Sequence, residues 1–238
     1  MFEFIGIVFN AVLYQPILNF LIWLYIVSNS FGLSILILTI IIRTLLHPLN
    51  NKSLKSQKEL QEIQPLIKDL QEKYKTDTQK QAEELVKLYK EKGFNPFAGF
   101  WYMLLQIPII LALYQVINYI ASGNDISSKL YSFINFTGTI EPMFLNMNLS
   151  EPNIYFAIVV AIAQFLQIKT MQPKKEKEVE KKEKDQTEKM QEMMQKQMLI
   201  LFPVFTFFIL TQLPSALGVY WLVVTIFSIV QQKIIFKN

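Results

Sequence analysis

The sequence feature that most constrains this chain is one arginine inside a long apolar run. Arg43 lies in residues 31–49 (FGLSILILTIIIRTLLHPL), which are otherwise almost wholly apolar and numerous enough to cross a bilayer. An arginine at the centre of such a helix costs about 2.5–3.5 kcal/mol on insertion scales, and more in simulations. None of the long apolar runs contains Asp or Glu. Arg43 must therefore bend toward the headgroups, meet a water-filled cavity, or attract an acidic group from another molecule.

Composition predicts an integral membrane protein. Of the 238 residues, 52% are hydrophobic, and the mean hydropathy is +0.28. The chain has no cysteine and one histidine, His47, which excludes disulfides, thiol catalysis and clusters of cysteine or histidine metal ligands. We find no glycine-rich phosphate loop and no nucleophile–base pair, so we predict no enzyme activity, cofactor or metal. The pI near 9.0 is typical of basic loops that face anionic lipid, and we predict no sequence-specific nucleic-acid binding.

The apolar runs predict an all-α membrane protein with five transmembrane helices. We also expect a cytoplasmic amphipathic helical hairpin and an amphipathic helix on the outer surface. Residues 11–30 could instead form a sixth span, but Trp23 and Tyr25 favour a helix at the headgroup interface. The predicted spans lie at roughly 31–49, 97–120, 153–171, 197–212 and 215–235.

The lysines predict the orientation of the chain. Ten lie in residues 52–92, nine in 169–196 and two near the C-terminus, whereas Lys129 alone lies between the second and third spans. The positive-inside rule then places residues 51–95, residues 172–196 and the C-terminus in the cytoplasm, and residues 121–152 outside. The corresponding division of the chain is 1–30 for the N-terminal segment with its interfacial helix, 31–50 for the first span, 51–95 for the hairpin and 96–238 for the other four spans.

The two predicted cytoplasmic segments differ in pattern. In residues 51–92, apolar side chains recur at helical spacing in two stretches, with turn residues at 76–78 between them and Gly93 after the second. This pattern indicates a helical hairpin, although a solvated loop that packs on the bilayer would show the same stripes. Residues 174–189 hold seven lysines and six acidic residues, and we assign that segment no chemistry.

Polar side chains recur on one face of several spans. Cross-helix hydrogen bonds would explain each stripe alone, whereas a shared water-filled groove would satisfy all of them and Arg43 together. We expect Ile37, which lies off these stripes, to face lipid. The stripes are Thr39, Arg43 and His47; Tyr102 and Gln106; Gln164 and Gln167; and Trp221, Thr225, Ser228 and Gln232.

The chain resembles the YidC/Oxa/Alb family of membrane protein insertases over roughly residues 12–236. The likeness is carried by an arginine-containing span followed by a charged hairpin, then by an NPxxG motif that leads to a Gln-Ile-Pro span. The matching stretches are YQPILNFLIWLY, GLSILILTIIIRTLLHPLNNKSLKSQKELQEIQPLIKDLQEKY, LVKLYKEKGFNPFAGFWYMLLQIPIILALY and SALGVYWLVVTIFSIVQQKII.

The resemblance implies five helices around a groove that is open to the cytoplasm and to lipid but closed toward the outside. Nascent membrane proteins would be its clients, with the ribosome, the Sec translocon and membrane lipids as further partners. It also implies a multi-pass protein of the bacterial cytoplasmic membrane. The alternative function is a small-solute or anion channel with Arg43 as the anion site; a membrane-embedded enzyme ranks third. The predicted groove residues are Arg43, Thr39, Gln167, Gln164 and Trp221 from the resemblance, together with Gln106 from its stripe.

Overall fold

The computed structural model describes residues 2–95, 98–171 and 186–237, and it is mainly helical. Residues 172–185, which are part of the charged segment predicted at 172–196, lie outside the described residues. A π-helical turn, Asn10–Tyr14, joins the first two helices, and strands β1 (Met143–Phe144) and β2 (Met147–Asn148) pair antiparallel. The helices in the described part are α1 (Phe2–Phe9), α2 (Gln15–Ser28), α3 (Phe31–Leu45), α4 (His47–Lys73), α5 (Thr78–Glu91), α6 (Ala98–Ala121), α7 (Ile154–Thr170), α8 (Gln186–Leu210) and α9 (Ser215–Lys237).

Length and composition identify fewer candidate spans than the sequence predicts. In the described ranges, Glu3–Ser28, Leu104–Ala121 and Ser215–Phe236 are long and apolar enough to cross a bilayer, and the bent pair α3 and α4 would make a fourth. α7 and the apolar part of α8, Leu199–Leu210, are shorter than the ~20 residues that a typical span needs. The protein is thus an all-α membrane protein with up to four spans by this measure.

Helix α3 ends before residue 49, the predicted end of the first span. α3 stops at Leu45 and α4 begins at His47, with a bend of 65° between the two helices. Pro48 has no N–H to donate to the carbonyl of Thr44, and its ring would clash there, so α3 cannot continue straight. The same residue is well tolerated in the first turn of a new helix. The straight helix therefore ends before residue 49, because proline ends it before its hydrophobicity does.

The main core lies between α2, α3, α6 and the first turns of α9. Since lipid is as apolar as leucine, these helices associate in a bilayer chiefly through close packing. Ile37, which we expect to face lipid, is half-buried, and part of its side chain packs against this core. The core residues that are at most 2% exposed include Leu18, Leu21, Ile22, Phe31, Ile35, Leu113, Val116, Ile117 and Leu217.

Residues 121–152 cover one end of this core. Phe144 of β1 lies over Gly32 at the start of α3, where a Cβ atom would come within 2.1 Å of the phenylalanine ring. Glycine is therefore required for this close approach. The carbonyl of the fully buried Leu149 accepts a hydrogen bond from the Ala216 N–H at 3.0 Å, which satisfies a donor in the first turn of α9. Residues 121–152 thus close this end of the bundle.

α4 and α5 form a hairpin with a small core of its own. Asp77 caps α5 by accepting a hydrogen bond from the Lys80 N–H at 3.0 Å, and Gly93 follows the helix at a φ of +63°. Ile63 and Ile67 are the α4 residues buried between the two helices. Their neighbours are Leu85, Leu88, Tyr89 and Phe94.

Candidate functional site

Arg43 is enclosed between α3 and α9. Its side chain is only 5% exposed, and its Nη2 donates hydrogen bonds to the carbonyl oxygen of Val224 and to Ser228 Oγ, each at 3.3 Å. Both of these acceptors are neutral, and they lie about one turn apart on α9. By helical rise, Arg43 lies about 18 Å from the start of α3, just before the bend. A neighbouring helix thus supplies hydrogen-bond acceptors to this arginine. From the sequence we expect headgroups, a water-filled cavity or an external acidic group instead.

The buried face of α9 changes character along the helix. Near its start, the buried residues belong to the main core and are largely apolar: Ala216, Leu217, Val219 and Tyr220. From Thr225 onward, the buried side chains are polar, and each needs a partner because burying an unpaired polar group is costly. These polar residues are Thr225, Ser228, Gln231 and Gln232, which are 1–6% exposed.

Hydrogen bonds join α4, α7 and α9 beyond Arg43. Asn50 Nδ2 donates to Gln231 Oε1, and the Gln231 amide nitrogen contacts Nδ1 of His47. Thr170 Oγ1 donates to Gln232 Oε1 at 2.7 Å. We refer to His47, Asn50, Thr170, Gln231 and Gln232 as the polar closure. It joins α4, α7 and α9 at the end of the bundle opposite residues 121–152.

α7 contributes the two predicted glutamines. Gln164 is 4% exposed, and its Oε1 accepts no hydrogen bond from the described residues. A buried acceptor without a partner costs about 1–3 kcal/mol, so we expect water or a passing peptide to satisfy it. Gln167 is half-buried, and its carbonyl lies 2.7 Å from Thr170 Oγ1, so it shares that single hydroxyl proton with Gln232 Oε1. Both glutamines therefore lie on the helix that meets the polar closure through Thr170.

The remaining predicted residues lie on α3, α6 and α9. Thr39 is fully buried one turn before Arg43, and its Oγ1 donates to the Ile35 carbonyl at 2.6 Å. Gln106 is half-buried and donates from Nε2 to the hydroxyl of Tyr220. Trp221 is half-buried against the cluster formed by Ala157, Val160 and Leu210 of α7 and α8. Side-chain hydrogen bonds thus tie α3, α4, α6 and α7 to α9, which is the shared wall of the candidate site.

Four residues of this site were not predicted from the sequence. Asn50 continues the face of Arg43 and His47 by three residues, but it lies past the predicted end of the span. Gln231 and Thr170 have no comparable local signal. Among the described residues, no group of three or more His, Cys, Asp or Glu side chains could hold a metal ion. The omitted residues are Asn50, Thr170, Tyr220 and Gln231.

Comparison with known families identifies relatives over most of this chain. A family model described as "60Kd inner membrane protein" matches residues 23–238. A solved structure described as an active YidC insertase with its first transmembrane domain resolved has a TM-score of 0.61 and 27% identity. The match covers 93% of this chain and 45% of that one.

Curated sequences point the same way. The membrane protein insertase YidC of Wolinella succinogenes is 34% identical over 226 residues, which are 94% of this chain and 37% of that protein. The insertase of Aquifex aeolicus is 32% identical over 226 residues, with coverage of 94% and 39%. That of Streptomyces avermitilis is 33% identical over 225 residues, with coverage of 88% and 52%. The chain therefore spans between about a third and a half of the length of these relatives.

Proposed function

We propose that this chain, which belongs to the YidC/Oxa family of inner membrane proteins, is a membrane protein insertase and chaperone. It receives a nascent membrane protein in a hydrophilic, positively charged groove within the bilayer and releases it into lipid. Because the chain spans only part of its curated relatives, this activity is proposed from the residues present here. The observation that carries the proposal is Arg43, a cation buried against the polar half of α9.

The distribution of polar residues supports a groove that opens on one side only. The half of α9 near residues 121–152 is packed into an apolar core, whereas the half near Arg43 carries buried hydroxyls and amides. Water that enters from the polar closure would reach Arg43 but meet the apolar core beyond it. The hydrocarbon barrier to a polar client segment would then be shorter than the full bilayer.

The proposed mechanism needs no covalent chemistry, as in other insertases of the family. Arg43 attracts an acidic or polar tail of the client into the inner half of the membrane. The client's own apolar helix then partitions into lipid, which supplies the driving force. The matches are to insertases, so the alternative of a small-solute channel gains no support from them.

Arg43 is only 5% exposed, so we expect a client to enter by a separation of α9 from α3 and α4. The contacts to be broken are the Arg43 bonds to Val224 and Ser228 and the polar closure. Each is a hydrogen bond, and none of these contacts is an ion pair between a basic and an acidic side chain. Such bonds have modest net strength, about 0.5–3 kcal/mol each, and water or client groups can replace them. Thr39 would then also become accessible.

The contacts of α2 support its placement along the outer surface. Tyr14 and Asn19 both contact Lys129, and the hydroxyl of Tyr25 accepts a hydrogen bond from the Glu141 N–H at 3.1 Å. From Tyr14 to Tyr25 the helix advances about 16 Å. If it crossed the bilayer, the segment 121–152 would have to follow it into hydrocarbon. We therefore retain five spans, α3 and α6 to α9, with α2 at the interface.

The proposed orientation places α4 and α5 in the cytoplasm, together with the C-terminus. Single cysteines at Lys90 and Asn124 can test it, because the chain has no cysteine of its own and both residues are exposed. We expect an impermeant thiol reagent to label the cysteine at 124 in intact cells and the one at 90 only after lysis. The reverse pattern would contradict the orientation. The ribosome and the Sec translocon are proposed partners on the cytoplasmic side.

Photo-crosslinking to a stalled client tests the groove directly. A crosslinking residue placed at Thr39, Gln167 or Trp221 should capture the client during insertion, since these positions surround the proposed path. Capture at Thr39, which is fully buried here, would in addition require the opening of α9.

Adjacent lipid-facing positions provide matched controls for the crosslinking. Ile40 follows Thr39 and is 40% exposed, and Leu166 precedes Gln167 and is 49% exposed. We expect at least about fivefold less client at these two positions, which corresponds to ~1 kcal/mol of preference. Equal capture at both members of each pair would mean non-specific proximity, and capture at the controls alone would place the client on another face.

A further inference from the structure

Lys129 occupies an unusual position for a lysine in this chain. It is the one basic residue in residues 97–168. It lies on the side of the bundle where the positive-inside rule predicts few basic residues. Its Nζ lies 3.8 Å from the ring centroid of Tyr119 and 5.3 Å from that of Tyr14. It also donates to the Tyr14 hydroxyl at 3.4 Å. The ammonium is therefore held between two aromatic rings and is half-buried.

The backbone around this lysine is fixed independently of its side chain. Asn19 of α2 is 1% exposed; its Nδ2 donates to the carbonyl of Lys129 at 3.2 Å, and its Oδ1 accepts from the N–H of Tyr131 at 2.6 Å. Both hydrogen bonds anchor the segment to a packed helix. The cation is consequently in place before any ligand arrives, which lowers the entropy that binding would lose.

A cavity of about 650 Å³ adjoins this cation. It lies between α1, the π-helical turn and the end of α6, and Gly6 forms part of its wall. Its polar lining consists of neutral amides and hydroxyls that can donate hydrogen bonds, and none of the described residues that line it is acidic. π-helical turns occur frequently at functional sites. The polar residues around Lys129 include Asn10, Gln115, Asn118 and Ser122.

The surface next to the cavity is apolar and unusually exposed. α1 presents Phe4, Ile5 and Ile7 at 57–70% exposure, and the π-helical turn presents Val12 at 63%. In a membrane protein, such a face lies against lipid chains. A ligand that joins an anion to long apolar chains would match the cavity and this face at once, whereas a free anion would use only the cavity.

We propose that Lys129 and the cavity between α1 and α6 bind the phosphate group of an anionic phospholipid, whose acyl chains lie along α1. Lys129 supplies the positive charge, and the amide and hydroxyl groups supply neutral donors. The proposal is separate from the insertase groove, because Lys129 lies at the end of the bundle opposite the polar closure.

Native mass spectrometry of the full chain in detergent tests this site with phosphatidylglycerol and phosphatidylcholine of equal chain length. Wild type should retain phosphatidylglycerol preferentially. Lys129→Gln should reduce that retention about fivefold, the effect expected for one lysine near a membrane surface, and Lys129→Arg should preserve it. Lys169→Gln is the charge-matched control, since Lys169 is exposed on α7 far along the chain. It should bind phosphatidylglycerol as wild type does.

A second variant leaves the charge intact and fills the cavity. A Cβ atom at Gly6 would meet no other atom within 4 Å, so Gly6→Leu should fold normally. It should nevertheless lose the phosphatidylglycerol preference. The proposal is overturned if both Lys129→Gln and Gly6→Leu retain phosphatidylglycerol fully, or if Lys169→Gln loses as much of it. It is also overturned if phosphatidylcholine binds equally well, or if millimolar inorganic phosphate displaces phosphatidylglycerol completely.

Discussion

Replacing Arg43 by glutamate should reduce the insertion of clients with acidic tails to less than a tenth of the wild-type level. The substitution reverses the charge that we expect to attract the client. It also turns a carboxylate toward the Val224 carbonyl, which can only accept, and toward Ser228, whose hydroxyl already donates to that carbonyl at 2.9 Å. Losing charge-assisted hydrogen bonds costs about 1.5–3 kcal/mol, and a tenfold effect needs about 1.4 kcal/mol. Arg43→Lys should retain most activity because it keeps the charge.

The measurement is a protease-protection assay of client insertion in cells depleted of their own insertase, with the membrane level of each variant followed by immunoblot. Ser228→Ala is the matched control: it leaves the cation and removes a bond that must break when a client enters, so it should insert clients within about twofold of wild type. A client with a neutral tail should suffer less from Arg43→Glu than one with an acidic tail. Equal loss for both clients at normal protein level would make the arginine a structural residue, and wild-type insertion would exclude an electrostatic role.

Ile67→Asp should open the α4–α5 hairpin and reduce insertion about tenfold while the membrane-spanning helices stay folded. Ile67 is 8% exposed, in a core that contains few other residues. Burying a carboxylate there, together with the lost packing, costs about 3–5 kcal/mol, which a core of this size cannot absorb. The hairpin would then present a disordered surface to its partners.

Leu66→Asp is the control because Leu66 precedes Ile67 on the same helix and is 41% exposed. A surface change of this kind is usually within about 0.5 kcal/mol of neutral. Limited proteolysis should cut the hairpin of Ile67→Asp rapidly and leave that of Leu66→Asp protected, with equal amounts of both proteins in the membrane. If Ile67→Asp loses its protected hairpin yet inserts clients normally, the folded hairpin has no part in insertion.

Local patterns in the sequence predicted what depends on local chemistry. Asp77 caps α5 and Gly93 follows it because capping and positive φ are set by single residues and their nearest neighbours. The spacing of Thr39 and Arg43 placed both on one helical face for the same reason. Pro48 could have indicated the bend, but the apolar run that continues to residue 49 obscured it.

Features that depend on contacts between distant segments were not predictable in this way. Ser228 meets Arg43 across 185 positions, and no local spacing reports the register between two such helices. Helical periodicity also groups residues into faces without telling which face meets the core, and Ile37, predicted to face lipid, packs partly against the core.

One local feature was also not predictable. The turn between β1 and β2 uses Leu145 and Asn146 at φ values of 49° and 60°, and leucine is not a residue that signals such a turn.

Under the proposed function, the amides of the polar closure bear on how many different clients the protein would serve. Asn50, Gln231 and Gln232 carry primary amides, which have the same donor and acceptor groups as a peptide bond. An arriving chain can therefore exchange its own backbone N–H and C=O groups for theirs with little net change in hydrogen bonding. Every polypeptide presents these groups regardless of its side chains. A closure built from ion pairs would favour clients with particular charges. These amides can instead exchange hydrogen bonds with the backbone of any client.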